Sequence, residues 1–145
     1  MDVIATPPAF FNGNMVVSIC ITNSPHAIYL GMRGFLLGSR DEGKTWIELL
    51  IGENPVSLFT VVVDPSDARH LLAISVPTFF ESKDQANSWT MVKIPETFGG
   101  FIGRLTWDKE SGNLYAVAGD SNGVYVLPEA SLIQIKDLTT IPTKK

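Results

Sequence analysis

A short polar segment that ends in tryptophan occurs twice in this sequence and constrains the fold more than any other feature. The first copy runs from Ser39 to Trp46 and the second from Ser82 to Trp89, so the copies are 43 residues apart. A fixed period of about 40 to 45 residues is typical of folds in which each repeat is one small sheet of four strands. The spacing therefore predicts a chain assembled from similar β-sheet units.

The residue types of the first copy predict a tight turn between two antiparallel strands. The carboxylate of Asp41 can accept hydrogen bonds from backbone N–H groups a residue or two ahead, and the Ser39 hydroxyl can bond locally in the same way. Gly43 supplies a position at which a positive φ costs little free energy. Trp46 opens the next strand and is predicted to bury its ring beneath the turn.

The second copy departs from the first at two fixed positions. The residues that it retains are Ser82, Asp84 and Trp89. Ser88 stands where the first copy has Thr45, and Ala86 replaces the glycine. Because alanine resists the left-handed conformation, Asn87 is predicted to adopt it instead.

The pattern Ser-x-Asp-x-Gly-x-Thr-Trp resembles the Asp-box, also called the BNR repeat, of sialidase-like and sortilin-like β-propellers. The resemblance implies that the motif is structural and lies at the periphery of each blade, away from the ligand face. The implied structural residues are Ser39, Asp41, Gly43, Thr45, Trp46, Ser82, Asp84 and Trp89.

Three successive units of strand-like sequence fill the chain. They predict an all-β fold with blades of four antiparallel strands at about residues 15–50, 57–94 and 100–136, within a single half-propeller domain of residues 1–145. A turn begins at Asp64 and again at Asp108, in step with the tryptophans. The third unit has residues 128–131 where the polar segment belongs, and 132–135 is predicted as its last strand.

Three blades do not close a propeller, because the two end blades would expose apolar faces to water. We therefore expect a two-fold homodimer with six blades, in which the last blade of each chain meets the first blade of the other. The alternative is that the chain is a fragment or a module that packs on a different partner.

Composition and charge narrow the classes of partner and site. The chain is 45% hydrophobic with a formal net charge of −4, and its lysines and arginines are scattered, which disfavours nucleic-acid binding. No run of about 18 apolar residues is present, so membrane insertion is not expected. The N-terminus lacks the pattern of a secretory signal, and a cytoplasmic or virion location is predicted. The single cysteine, Cys20, is expected to be a buried, inert thiol, and no metal or cofactor is predicted.

No residue set in the sequence predicts catalysis. Sialidases of the family that it resembles use three arginines on a carboxylate, whereas two of the four arginines here, Arg40 and Arg69, lie in repeated turns. Repetition also favours a structural role for the turn acids, which are Asp41, Asp64, Asp84 and Asp108. His26 and His70 precede second strands and are interpreted as plain turn residues.

The leading hypothesis is a non-enzymatic binding or assembly module with a protein or glycan ligand. The candidate ligand face comprises Phe10, Phe11, Asn12, Arg33, Glu53, Asn54, Phe98, Asp120 and Asn122. The three phenylalanines can equally pack between blades. The alternative function is a carbohydrate-active protein, either a lectin or a glycoside hydrolase with two carboxylates facing each other across a channel.

Overall fold

A computed structural model describes residues 15–49, 51, 60–75, 78–93, 102–118, 123–128, 133–134 and 141–142. Every regular element in these residues is a β-strand. The strands are β1 (Val16–Asn23), β2 (His26–Met32), β3 (Leu36–Ser39), β4 (Ile47–Leu49), β5 (Thr60–Asp64), β6 (Asp67–Ser75), β7 (Thr78–Ser82), β8 (Ser88–Lys93), β9 (Ile102–Trp107), β10 (Asn113–Ala118), β11 (Gly123–Pro128), β12 (Ile133–Gln134) and β13 (Ile141–Pro142).

The strands form three antiparallel sheets that follow the chain in order. Sheet 1 has the order β1-β2-β3-β4, and sheet 2 contains β5, β6, β7 and β8 in the same meander. Sheet 3 contains β9, β10 and β11. Short hairpin connections join successive strands, which is why each unit folds from local sequence.

The last predicted strand of the third unit does not join sheet 3. Ile133 and Gln134 of β12 pair instead with Lys93 and Val92 of β8, and β13 pairs with the same strand. The prediction of four strands in the third blade is therefore wrong for the residues that the structure describes. The reason for this difference lies in the sequence. In the first two units a polar turn segment returns the chain beside the third strand, and the third unit lacks that segment.

The first strands of the three sheets lie side by side, with β5 in contact with both β1 and β9. Sheet 2 is therefore packed on both faces. Along β6, Leu71 and Ala73 enter a core shared with sheet 1, while Leu72 and Ile74 enter a core shared with sheet 3. Burial on both faces explains why this strand is a continuous apolar run rather than an alternating one.

Sheets 1 and 2 are in contact beside Gly31, where an added Cβ atom would lie 3.6 Å from the Val61 nitrogen. The Val61 N–H donates a hydrogen bond of 3.0 Å to the Ser18 hydroxyl across the junction. A Cβ atom at Gly31 would lie 2.3 Å from that hydroxyl oxygen, so any larger residue there would displace the hydroxyl.

The exposed large hydrophobic side chains among the described residues are confined to the two end sheets. They are Met15, Val16, Ile19, Ile21, Val117, Val124 and Val126. Val117 and Val124 are cross-strand partners on sheet 3 and are 47% and 69% exposed. The apolar material of sheet 2, in contrast, is enclosed by its neighbours.

A search of the described residues for a helix long and apolar enough to cross a membrane finds none.

Candidate functional site

A groove of about 810 Å³ runs along the first strands of all three sheets. Each of β1, β5 and β9 is the terminal strand of its sheet, so one backbone edge of each has no strand partner among the described residues. Lining side chains come from all three strands and from the turns that follow β5 and β9. The groove is therefore formed where the three sheets meet.

The groove combines an apolar wall with positive charge. Ile19 and Ile21 of β1 line it and are 62% and 54% exposed, and Trp107 of β9 also lines it. Among the described residues that line it, only Arg104 and Lys109 are charged. In a chain with a formal net charge of −4, this described part of the lining is therefore positive.

Cys20 also lines the groove, where it is half-buried. Burial raises the pKa of its thiol to about 12. The thiol therefore stays protonated at neutral pH and is a poor nucleophile.

The Ser39–Trp46 segment forms the hairpin between β3 and β4. The Asp41 carboxylate accepts hydrogen bonds from the Thr45 N–H at 2.8 Å and the Thr45 hydroxyl at 2.5 Å. The Ser39 hydroxyl donates to Asp41 at 2.9 Å and accepts from the Gly43 N–H at 2.8 Å. These bonds lower the pKa of Asp41 to about 2, and the Thr45 hydroxyl makes the largest contribution.

The Ser82–Trp89 segment repeats this network between β7 and β8. Asp84 accepts from the Ser88 N–H at 2.8 Å and the Ser88 hydroxyl at 2.5 Å, while the Ser82 hydroxyl accepts from the Ala86 N–H at 2.9 Å. Ala86 itself has a φ of 63°, so the prediction that Asn87 would adopt this conformation is wrong. The hydrogen bonds of the serine and the aspartate impose the left-handed turn even where no glycine is present.

Position 42 in the first hairpin and position 85 in the second are also left-handed, as Glu42 and Gln85 have φ values of 62° and 61°. Each hairpin therefore contains two consecutive left-handed residues. The tryptophans differ in depth, since Trp89 is fully buried and Trp46 is partly exposed. Both indole Nε1 atoms are buried without an acceptor among the described residues.

One side chain joins the two hairpins. The Arg40 guanidinium donates to the Gln85 carbonyl oxygen at 3.3 Å and to Asn87 Oδ1 at 3.1 Å. The Tyr29 hydroxyl also donates to the Gln85 carbonyl oxygen, at 3.4 Å. The hairpins thus link sheets 1 and 2 at their outer strands, far along each sheet from the groove.

A buried ionic cluster lies at the junction of sheets 2 and 3. His70 Nδ1 is 3.2 Å from Asp64 Oδ2, and Nε2 is 2.8 Å from Glu81 Oε1. The side chains of His70 and Glu81 are 8% and 7% exposed. The imidazole meets the Trp107 ring edge-on, with ring centroids 4.7 Å apart.

The imidazolium and the carboxylates of this cluster stabilise each other's charged forms. Burial lowers the pKa of His70, but its hydrogen bonds to Glu81 and Asp64 and their charges outweigh burial and raise the pKa above its ordinary value. Burial raises the pKa of Glu81, but the hydrogen bond from His70 and the Lys83 charge outweigh it and lower the pKa. The two directions agree with an imidazolium between two carboxylates.

The interpretation of His70 as a plain turn residue is wrong. His70 lies within β6 and is 6% exposed, whereas His26 is exposed at the first residue of β2. A polar residue directly before the buried run Leu71–Ile74 was the available sequence signal. Its partners could not be assigned from sequence, because they come from β5 and β7.

The acids predicted to be turn residues all hold turns. Asp108 accepts from the Ser111 N–H at 3.0 Å within the β9–β10 connection, and Asp64 accepts from the Ser66 N–H at 2.7 Å while also contacting His70. Within the described part of the chain, no group of three or more histidines, cysteines and acids could hold a metal ion.

Of the predicted ligand-face residues, the structure describes only Arg33. It is exposed in the β2–β3 turn and is not among the residues that line the groove. The others lie outside the described residues: Phe10, Phe11, Asn12, Glu53, Asn54, Phe98, Asp120 and Asn122. The groove itself was not predicted as a site, because its walls come from three strands that are distant in sequence.

Comparison with known proteins supports the architecture. No protein-family model matches the chain, and no curated protein matches it in sequence. Among solved structures, the chain is similar to "YCF48 bound to D1 peptide", with a TM-score of 0.58 and 13% sequence identity. The match covers 88% of this chain and 46% of that chain, so this chain spans about half the length of the solved protein. The likeness confirms the predicted all-β fold of the β-propeller type.

Proposed function

We propose that this chain is a non-enzymatic protein-binding or assembly module that holds an extended segment of a partner in the groove between β1, β5 and β9. The observation that carries the proposal is the groove itself, with three strand edges open toward it. Extended peptides bind such edges through main-chain hydrogen bonds, and neighbouring side chains set the specificity. The peptide bound by the similar YCF48 structure supports the same class of ligand.

The lining residues specify the chemistry of the segment. Ile19 and Ile21 suit apolar side chains, and Arg104 and Lys109 suit carboxylates, because the described lining residues include no acidic side chain. We therefore propose a partner segment in which apolar and acidic residues alternate. Because both isoleucines and Arg104 are exposed, an incoming chain can reach them without opening the fold.

Binding of labelled peptides tests this proposal. The probes are three fluorescein-labelled ten-residue peptides in which valine alternates with glutamate, glutamine or lysine, and the readout is fluorescence anisotropy. The glutamate peptide is expected to bind most tightly, and the double substitution Arg104→Glu with Lys109→Glu is expected to weaken it by roughly tenfold or more, which corresponds to about 1.4 kcal/mol. Lys44→Glu, which changes an exposed charge in the β3–β4 hairpin, is the matched control.

Equal affinity for all three peptides, or equal weakening by the control, would contradict the assignment of the groove. Absence of binding by every peptide would contradict the peptide-binding role.

We further propose that the two polar hairpins are of the Asp-box type and that a second copy of the chain completes a six-bladed propeller. The exposed apolar side chains that do not line the groove support the dimer, because Met15 precedes sheet 1, Val117, Val124 and Val126 lie on sheet 3, and these two ends would meet across a two-fold axis. Sedimentation equilibrium is expected to give twice the chain mass, and Val124→Lys with Val126→Lys is expected to give the monomer. A monomeric wild-type protein at micromolar concentration would rule out the dimer.

The carbohydrate-active alternative remains a prediction from the sequence. A hydrolase of this kind needs two carboxylates that face the substrate. The residues that line the groove in the described part of the chain include neither aspartate nor glutamate, so no observation there favours hydrolysis.

A further inference from the structure

The Asp64–His70–Glu81 cluster occupies a position from which it can act on the groove. Trp107, Val63 and Pro65 all line the groove, and Asp64 lies between the latter two in sequence. Trp107 packs against the His70 ring at 4.7 Å between centroids. The imidazole thus contacts the end of β5 and the end of β9 at once, and both ends contribute to the groove wall.

The geometry of the cluster requires two donors on one ring. A protonated imidazole has an N–H on each nitrogen, so it can donate to Asp64 and Glu81 together, while a neutral imidazole has a single N–H. After loss of a proton, one carboxylate faces a ring lone pair instead of a donor. The contact to Asp64 is the longer of the two, at 3.2 Å against 2.8 Å, and Glu81 has a second cation in Lys83, whose Nζ is 3.5 Å from Oε2. The contact between His70 and Asp64 Oδ2 is therefore lost first, while Asp64 Oδ1 keeps the hydrogen bond from the Ser66 N–H.

We propose that His70 is a pH-sensitive link in the groove wall: its imidazolium joins Asp64 to Glu81, and loss of its proton releases the end of β5 and weakens the packing on Trp107, which lowers the affinity of the groove for a peptide. The inference rests on the binding role proposed above and adds its regulation. Two-state elements biased by a buried histidine are a common basis of pH sensing in proteins.

The other charges near His70 do not replace this link. Asp67 and Arg69 on β6 form an exposed pair of their own, with Nε 3.2 Å from Oδ1. Lys83 pairs with Glu81, and Asp108 accepts hydrogen bonds within its own turn. Because the pKa of His70 is higher in the folded protein, the stabilisation is fully present below the unfolded value near 6.5. It is lost as pH rises through the folded value.

The first measurement needs no ligand. The ring Cε1–H signals of the two histidines are followed by NMR from about pH 5.5 to about pH 9.5, with His26→Gln used to assign them. His70 is expected to titrate at higher pH than a free histidine. The backbone amides of Val63 and the indole Nε1–H of Trp107 are expected to shift with the same midpoint. Titration of His70 without a response at either reporter would overturn the link.

The second measurement tests whether the protonation of His70 changes peptide binding in the groove. Affinity for the valine–glutamate peptide is expected to fall by about fivefold or more between about pH 6 and the pH at which His70 is neutral, the lower end of ordinary coupling between two sites. His70→Gln cannot change charge and is expected to remove this pH dependence, while His26→Gln is expected to keep it. Asp64→Asn, which removes the unpaired carboxylate and keeps its shape, is the second variant if His70→Gln does not fold.

The outcomes separate the two proposals. A peptide that binds with the same affinity across the titration of His70 would overturn the regulation and leave the groove assignment intact. A peptide that binds at no pH, while Val63 and Trp107 still follow His70, would contradict the binding role and the regulation of a ligand, and retain only a structural link.

Discussion

Replacement of Gly31 by alanine tests the close approach of sheets 1 and 2. The new Cβ atom would lie 2.3 Å from the Ser18 hydroxyl oxygen, which is closer than such atoms can come. The hydroxyl is the end of a short rotatable side chain, so it can turn away from the new Cβ atom. It then loses the hydrogen bond that the Val61 N–H donates to it at 3.0 Å. Because Val61 is 2% exposed, its N–H is left without water.

The expected changes in the free energy of unfolding follow from the loss of this hydrogen bond. An orphaned buried donor costs about 1 to 3 kcal/mol. The reduced entropy of the unfolded alanine chain offsets about 0.4 to 1 kcal/mol of that cost. Ser18→Ala alone is expected to cost the same 1 to 3 kcal/mol, because it removes the same acceptor. In the double variant the next contacts of the Cβ atom lie at 3.6 Å, an ordinary packing distance, so Gly31→Ala adds no further cost.

The double-mutant cycle should therefore show a coupling of about 1 to 3 kcal/mol, with the double variant more stable than the sum of the singles predicts. The assay is urea unfolding with equal m-values for all four proteins. Gly34→Ala is the matched control, since Gly34 has a φ of 94° and no atom within 4 Å of its added Cβ. Gly34→Ala should lower the free energy of unfolding by about 1 kcal/mol, and this loss should add to that of Ser18→Ala without coupling. Additivity of Gly31→Ala and Ser18→Ala within about 0.5 kcal/mol would refute the reasoning.

Three further predictions concern the polar hairpins. Ser82→Ala should lower the free energy of unfolding in urea by about 1 to 3 kcal/mol, because the buried Ala86 N–H loses its acceptor at 2.9 Å. An unchanged midpoint would contradict the role of the Ser82 hydroxyl. Ala86→Gly should be within about 1 kcal/mol of wild type, because relief of a φ of 63° offsets the loss of a fully buried methyl group; a gain of several kcal/mol would show that the turn stores more strain than the geometry suggests. The pKa of Asp41 is depressed to about 2, so its stabilising contribution is complete above the unfolded value and is lost as pH falls from about 4 to about 2. Asp41→Asn should flatten the fall in stability over that pH range, and an acid-unfolding curve with the wild-type slope would count against it.

The hairpins and the strand order of the first two sheets were predictable because both depend on neighbours in sequence. Asp41 and Thr45 are four residues apart, and the repeat copies the same spacing to Asp84 and Ser88. The turn at Ala86 was mispredicted, because residue propensity alone ignored the hydrogen bonds to Ser82 and Asp84 that fix the backbone around it.

Features that join different sheets were not predictable in the same way. The groove unites three strands from three repeats, and the contacts of His70 reach β5, β7 and β9. The apolar run that follows His70 indicates burial, but the local pattern does not identify the partners of the imidazole. The pairing of β12 with β8 was likewise hidden, because strand pairing over about 40 residues depends on which edges are open in the folded chain.

The two junctions between sheets differ in how they are held. Sheets 1 and 2 are joined between their first strands by the hydrogen bond from Val61 to Ser18 and again at the β3–β4 hairpin by Arg40, so rotation of one against the other would have to break bonds at both places. At the junction of sheets 2 and 3, the described contacts are the apolar core and the edge-on contact of Trp107 with His70, while the polar partners of His70 lie within sheet 2. Relative motion of the sheets is therefore expected at this second junction. Sheets 1 and 2 should move as one rigid unit, and sheet 3 should rotate against them.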